Sequence, residues 1–400
     1  MIRVGFVLNL AGHSWLGGVS YFRNLFAALR DLPDRRVDPV IITRRDTPSD
    51  SLAEFQPAEV LRTRLVEFER PWWKVRRALQ RYLGRDWLFE HYLHRHGIGL
   101  LSHSGYLGRR CPLPTLSWIP DFQERHLPEF FSAAEHAARQ RQLEQSCRHS
   151  SALILSSYAA LRDLEQIHAS CARRAHVLQF VASVPALDSL PARAELERRY
   201  GFSGAYVHLP NQFWAHKNHE VVVEALRGLR DRGRSALVLA TGNTEDHRQP
   251  GHFASLMARV ASSDVQDWFR VLGVVPYRDL MGLMASSVAV LNPSLSEGWS
   301  TSVEEAKSFG KRVLLSDIPV HREQAPERAV YFDPHDAFGL AHQLAKVLEE
   351  YDPLGEWSQM SAAMVRLPER RRSFAQKFEE IVISRARPRC TSGAAGERPR

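Results

Sequence analysis

The stretch that decides the reading of this chain is Leu291-Asn292-Pro293-Ser294-Leu295-Ser296-Glu297-Gly298-Trp299-Ser300-Thr301-Ser302-Val303-Glu304-Glu305-Ala306. An apolar strand is expected over Val288–Leu291, a glycine-containing turn follows, and a helix is expected from Thr301 to Phe309. Such a strand–turn–helix unit aims free backbone N–H groups and the positive end of a helix dipole at whatever lies beyond the strand, which suits a pyrophosphate. Glu297 in the turn and Glu305 in the helix flank that point. Carboxylates repel phosphate but accept hydrogen bonds from hydroxyls, so the pattern fits a phosphate-linked sugar better than a bare phosphate. A plain structural alternative stands beside it, because Thr301-x-x-Glu304 and Ser302-x-x-Glu305 both match a capping box.

The same strand–helix rhythm runs through the chain. Further strands are expected at Val4–Leu8, Ile98–Ser102, Thr115–Ile119, Ala152–Ser156 and His176–Phe180, then at Tyr206–Leu209, Leu237–Thr241, Phe269–Leu272, Val313–Ser316 and Val330–Phe332. Amphipathic helices fall between them, among them Tyr21–Leu29, Ala133–Cys147, Tyr158–His168, Glu220–Leu229, Ala337–Glu349 and Phe374–Ile383. Alternation of this kind predicts α/β architecture with parallel sheets covered by helices, here two doubly wound, Rossmann-like domains facing a cleft. The expected division is a first domain over residues 1–183, a linker over 184–198, a second domain over 199–370, a C-terminal helix over 371–386 returning to the first domain, and a disordered tail over 387–400. Ligands of such sheets sit at the carboxyl ends of the strands.

Composition agrees with a globular protein: 400 residues, 44% hydrophobic and 24% charged. No apolar run approaches the roughly 20 residues needed to span a bilayer, and the first residues read as a buried strand rather than a leader. Cys111, Cys147, Cys171 and Cys390 are far apart and form no C-x-x-C pair, so neither a disulfide framework nor a zinc site is expected, and a reducing cytoplasm is the simplest home. The formal charge of +8 is concentrated in residues 70–85, with six Lys/Arg and no acid, and in the tail from Arg385. The remainder is slightly acidic, which argues against a nucleic-acid partner. No D-x-D, G-x-x-x-x-G-K-[ST], G-x-S-x-G or G-x-G-x-x-G motif occurs, and His216 with His219 lacks a third ligand, so no metal site is expected.

Glu297-x7-Glu305 in "NPSLSEGWSTSVEEA", followed by "GKRVLLSDIPVHREQAPERAVYFDP", resembles the signature of the retaining family 4 glycosyltransferases of the GT-B fold. The likeness extends through "VLGVVPYRDLMGLM", "LVLATGNTEDHRQP" and "LPNQFWAHKNHEVVVEAL", and more loosely through Gly17-Gly18-Val19-Ser20 and "SWIPDFQERHLPEFFS". What the resemblance implies is a hexosyltransferase that moves a sugar from a nucleoside-diphosphate donor, a UDP- or GDP-sugar, to a hydroxyl of a glycan or lipid-linked acceptor. It implies retention, no metal or other cofactor, and a leaving phosphate that takes the acceptor proton on the same face. By the same resemblance Glu305 binds ribose hydroxyls, Glu297 contacts the transferred sugar, the amides of Gly298, Trp299, Ser300 and Thr301 hold phosphate, and Lys217 is the cation on the diphosphate. Gly17 and Gly18 would let a turn after the first strand approach donor and acceptor, and Val275, within Val274–Tyr277, would lie near the base.

Two positions depart from that pattern. Gln212 stands five residues before Lys217, where relatives carry an arginine, so a second cation has to come from elsewhere. Asp121 matches an acid of the family, but Pro120 occupies the place of the usual histidine. His103, after the strand ending at Ser102, is the candidate replacement, with Glu124 and His126 left open beside it.

The basic segment 71–85 gives a helix with Lys74, Arg77, Arg81 and Arg85 on one stripe about 80° wide and Trp72, Val75, Leu79, Tyr82 and Leu83 on the other side. Such a helix either lies on the anionic inner leaflet of a membrane or packs its apolar stripe on the first sheet. Surface polysaccharide or glycolipid assembly is the setting the resemblance implies. A nucleotide-sugar epimerase or hydrolase on the same fold, revealed by product without acceptor, is the second reading, and a catalytically silent nucleotide-sugar scaffold is the third.

Overall fold

The computed structural model describes residues 1–9, 16–55, 58–67, 70–105 and 107–386. Seven parallel strands form the first sheet: β1 (Ile2–Val7), β2 (Val37–Thr43), β3 (Glu59–Arg62), β4 (Leu100–Ser102), β5 (Thr115–Ile119), β6 (Ala152–Leu155) and β7 (Ala175–Val177), in the order β3-β2-β1-β4-β5-β6-β7. Six parallel strands form the second: β8 (Tyr206–Leu209), β9 (Leu237–Thr241), β10 (Phe269–Gly273), β11 (Ala289–Asn292), β12 (Val313–Ser316) and β13 (Ala329–Phe332), in the order β10-β9-β8-β11-β12-β13. In each sheet the winding reverses beside the first strand, between β1 and β4 and between β8 and β11, which opens a crevice at the carboxyl ends.

Strands β2 and β3 go beyond the sequence expectation. Pro39 sits inside β2 and argues against a strand there, yet pairing with β3 begins only at Val40↔Glu59. The missing N–H therefore falls where β3 offers no partner. A second difference is covalent: Cys147 and Cys171, expected to be reduced, form a disulfide that joins the ends of the Ala133–His149 and Tyr158–Ala172 helices. Their 24-residue separation carries no local signature, since the bridge depends on how two helices pack on β6. The cysteine argument for a reducing compartment is thereby removed. Cys111 remains a free thiol, pushed up to about 12 by burial. Cys390 and the tail 387–400 lie outside the described residues.

The helix expected at the C-terminus is the second half of one 33-residue helix, Pro353–Arg385, that contains Pro368. Its first half places Met360 against the Thr301–Phe309 helix and β12. Its second half contributes Phe374, Ala375, Phe378, Ile381 and Val382 to the core of the first domain. Residues 193–200, at the end of the expected linker, form a helix packed on the second domain.

The basic helix Pro71–Tyr82 is oriented inside out relative to ordinary packing. Its inward face is Arg76, which pairs with Asp86 and lies 4.1 Å over the Phe89 ring, together with buried Gln80. Trp72 (54% exposed), Val75, Tyr82 (74%) and Leu83 face outward, joined by Trp87 and Leu88 of the next helix. The apolar stripe does not pack on the sheet. Among the described residues, no helix is long and apolar enough to cross a membrane.

Glu379 shows how the long helix is anchored in the first domain. Its buried carboxylate accepts from the backbone N–H groups of Arg36 (2.6 Å) and Val37 (2.9 Å) at the start of β2. Replacing it by alanine leaves two N–H groups short of an acceptor, and we expect Glu379→Ala to lower stability by about 1–3 kcal/mol in urea unfolding. A midpoint equal to wild type would show that the anchor is not needed.

Candidate active site

The carboxyl ends of β1, β4 and β5 face those of β8 and β11, and most of the residues singled out in the sequence lie on the loops and helices that follow these strands, with Val275 after β10. The turn after β11 carries Glu297, and a 3-10 turn, Ala215–Lys217, carries Lys217. Asn218 follows in the left-handed region (φ 55°), bent so that its amide donates to the carbonyls of Pro293 and Pro334 and ties this turn to the β11 loop. Lys217 Nζ then reaches Glu297 Oε1 at 2.6 Å, the atom to which Ser294 Oγ (2.8 Å) also donates. Burial alone would raise the Glu297 pKa, but the charge of Lys217, followed by His321, the Lys217 hydrogen bond and His216, holds it down to about 2. This carboxylate is ionised and neutralises Lys217.

Glu305 lies in the opposite environment. It is buried on the Thr301–Phe309 helix, and its hydrogen-bond donor among the described residues is Tyr277 Oη at 3.3 Å. Burial pushes its pKa up to about 7, with Arg23 and the Tyr277 hydroxyl acting only as partial counterweights. The Arg23 guanidinium is shared, lying 4.2 Å over the Tyr277 ring and bonding to Ser20 and Glu54. A buried carboxylate with one long hydrogen bond has acceptor capacity left over for hydroxyl donors.

Glu304 is structural. It receives Arg370 Nη2 (2.9 Å) from the long helix and Gln324 Nε2 (3.4 Å). No side chain caps the helix, so neither capping box expected as the plain alternative forms. The expected phosphate cradle needs correcting at one position: the Ser300 N–H donates to Gln324 Oε1 (3.2 Å) and is thus already occupied. Trp299 turns away from the turn, its indole donating to the Phe180 carbonyl of the first domain (3.1 Å).

Gly17 and Gly18 lie within the first helical turn of Leu16–Arg30 rather than in a loop before it. A Cβ on Gly17 would stand 3.8 Å from Thr301 Oγ1. Two helix N-termini, one from each domain, therefore converge. Gly298 meets the first domain even more closely, since a Cβ there would fall 2.5 Å from the Pro120 carbonyl oxygen and 3.1 Å from Asp121 Cβ.

Asp121 itself accepts from Arg139 (3.0 Å), which also holds Glu124 (2.9 Å). His126 is exposed and paired with Asp163. His103 sits one layer deeper, at φ 56°, with Nε2 2.7 Å from Tyr21 Oη and Nδ1 2.8 Å from Ser102 Oγ, stacked on Phe6 and close to Trp118. Burial lowers its pKa to about 3, which keeps it neutral. Val275 leans into the cluster of Leu196, Phe202 and Leu283, while Val274 beside it is exposed. Gln212 is half-buried and lies behind Gly242, whose φ of 150° and lack of a Cβ admit the Asn211–Gln212 backbone. Tyr277, Arg23, Asn292, Ser294 and Gln324 complete the site. Of these, Asn292, Ser294, Gln324 and Tyr277 lie in stretches quoted above without a role of their own, and Arg23 lies outside them.

Residues 205–363, the second domain, match the family model for glycosyl transferases group 1. The O-antigen chain mannosyltransferase RfbU of Salmonella typhimurium is 28% identical over 123 residues, 31% of this chain and 33% of that protein. The O-antigen chain mannosyltransferase B of Escherichia coli is 28% identical over 98 residues, 24% of this chain and 25% of that protein. The alignment thus spans a third or less of these curated relatives.

Solved structures resemble the whole chain. HepE of Anabaena, in complex with UDP-glucose, superposes with a TM-score of 0.69 at 15% identity, covering 96% of this chain and 100% of that one. WaaG, a glycosyltransferase involved in lipopolysaccharide biosynthesis, gives 0.59 at 15% identity, covering 95% and 99%. The architecture is GT-B: two doubly wound α/β domains facing a cleft.

The Gly298 contact generates a test of the cleft. Leucine at this position cannot fit against Pro120, so Gly298→Leu should increase the radius of gyration in small-angle X-ray scattering while leaving helix content by circular dichroism unchanged. An unchanged radius would show that the two loops are not in contact in solution.

Proposed function

We propose that the protein transfers a hexose from a nucleoside-diphosphate sugar to a hydroxyl acceptor with retention of configuration. The observation that carries this reading is Glu305, a buried carboxylate with unfilled acceptor capacity on a helix whose N-terminus meets another across the cleft. Ribose hydroxyls supply the missing donors, and the converging dipoles and Lys217 suit a diphosphate. The names of the relatives support the chemistry, and UDP-glucose bound to HepE supports a UDP- or GDP-sugar as donor.

In the reaction the bond between the sugar C1 and the β-phosphate oxygen breaks, and the acceptor oxygen bonds to C1 on the same face. The acceptor proton passes to the leaving phosphate oxygen. Charge builds on that phosphate in the transition state, where Lys217 acts, so Lys217 lowers the barrier rather than merely binding the donor. Glu297 orients Lys217 and accepts from the transferred sugar. The amides of Gly298 and Thr301 and the helix turn at Gly17 and Gly18 border the phosphates, with Asp121 on the acceptor side. No metal or other cofactor has a part in this scheme.

Binding of UDP, GDP and their sugars, measured by calorimetry across pH, tests the donor site. Ribose hydroxyls donate more strongly to an ionised carboxylate than to a protonated one, and Glu305 is mostly protonated below about pH 7. Affinity should therefore rise by on the order of 10-fold from pH 6 to pH 8, and the rise should vanish in Glu305→Gln. An equal slope in that variant would remove Glu305 from the site. Lys217→Ala should lower turnover more than affinity.

The acceptor is proposed to be a glycan or lipid-linked sugar in surface polysaccharide or glycolipid assembly. Nucleotide sugars as donors set the protein in the cytoplasm, with the outward-facing Trp72, Tyr82 and Trp87 and the neighbouring Lys74, Arg77 and Arg81 resting on the anionic inner leaflet. Sedimentation with phosphatidylglycerol-containing vesicles, but not with pure phosphatidylcholine, is the expected result. The Arg77→Glu/Arg81→Glu double variant should weaken it by about 10-fold or more. Equal partitioning into both vesicle types would count against this surface.

A further inference from the structure

Arg248 lies on the loop between β9 and the His252–Ser262 helix, far in sequence from the acidic turn and from Lys217. That loop is nevertheless fixed to the Lys217 turn by one carboxylate. Asp246 Oδ2 accepts from the Ala215 N–H (2.9 Å), and its Oδ1 accepts from the Arg248 N–H (2.9 Å). The charge of Arg248 is felt at buried His216, where it adds to burial and Lys217 in holding the imidazole neutral.

From this base the guanidinium crosses to the first domain. It lies 4.2 Å over the ring of Phe131 and 5.4 Å from that of Trp214 in its own domain. Its polar contacts are long: Nη1 donates to Gln123 Oε1 at 3.3 Å, and the buried Nε makes an ion pair with Glu135 Oε1 at 3.4 Å that lacks hydrogen-bond geometry. Arg248 is thus held by ring faces more than by carboxylates, a contact that can form and release at little cost. The same Phe131 ring carries Arg139 at 5.0 Å on its way to Asp121, and Asp121 adjoins Gly298. Two cross-domain contacts, Arg248 on Phe131 and Gly298 on Pro120, therefore flank the Lys217–Glu297 pair.

We propose that Arg248 is a positioning residue: seated between Phe131 and Trp214, it clamps the first domain onto the Lys217 turn and holds the acceptor and donor faces in register. The inference rests on the transferase reading for its kinetic consequence but not for the clamp itself.

The test combines amide hydrogen exchange with kinetics on the full chain. Without any ligand, Arg248→Ala and Phe131→Leu should each raise exchange at both residues 123–136 and residues 243–249, and Arg248→Lys should behave like Arg248→Ala, because an ammonium lacks the flat face that stacks on the ring. With UDP-glucose or GDP-mannose as donor and free hexose as acceptor probe, kcat should fall by on the order of 10-fold while the donor KM stays within about twofold. Wild-type exchange in Arg248→Ala overturns the proposal. So does a loss of UDP or GDP affinity as large as that of Lys217→Ala, which would make Arg248 a diphosphate ligand instead. A wild-type protein that binds no nucleotide sugar would remove the transferase reading, and the ligand-free exchange would still decide the clamp.

Discussion

One helix belongs to two cores. The first half of Pro353–Arg385 is buried against the second domain and the second half against the first, so the two sheets are set face to face by a single continuous element. Buried carboxylates fasten it in both domains, among them Glu356, which pairs with Lys311 and Arg328 of the second. Glu304 receives Arg370 directly beside the acidic turn, and Glu379 receives the first amides of β2. The close approach of Gly298 to Pro120 and of the Gly17 turn to Thr301 depends on this registration. Without it, each half-site would be a helix terminus facing water.

Within the cleft, two glutamates eight residues apart are driven in opposite directions. Glu297 is surrounded by Lys217, Ser294 and two histidines and is ionised throughout the ordinary pH range. Glu305, one helical turn farther in, is desolvated with little compensation. Desolvation and charge pairing separate their chemistry, although the sequence writes them with the same letter. The first keeps a cation oriented, while the second is costly to ionise until a ligand supplies donors.

Much of this was legible. Val313–Ser316, Tyr206–Leu209 and Thr115–Ile119 are continuous apolar runs bounded by turn residues, and they fall where expected. β2 was hidden by Pro39, whose cost disappears only because β3 is short. The acidic turn was readable because its parts are local. The contacts of Gln324, Arg23 and Arg248 were not, even though Gln324 and Arg248 lie in quoted stretches, because nothing in an arginine or glutamine says which loop it will meet. The disulfide shows the same limit, since cysteine spacing is informative only when the pairing is local. His103 was expected at the cleft on its position after a strand, but Phe6, Tyr21 and Trp118 surround it, a packing no local pattern announces.

Pro368 stands in the long helix between the residues committed to one core and those committed to the other. Having no N–H, it removes one rung of the ladder at that boundary, so the helix bends more easily there, with the Arg370–Glu304 contact just beyond it as the main restraint. Residues 368–385 form a lever arm about 26 Å long. A change of about 10° at the proline would move its far end by about 4.5 Å. The helix that ties the domains together is thereby also a pivot, and a small angular change at one residue becomes a displacement comparable to the thickness of a sugar ring.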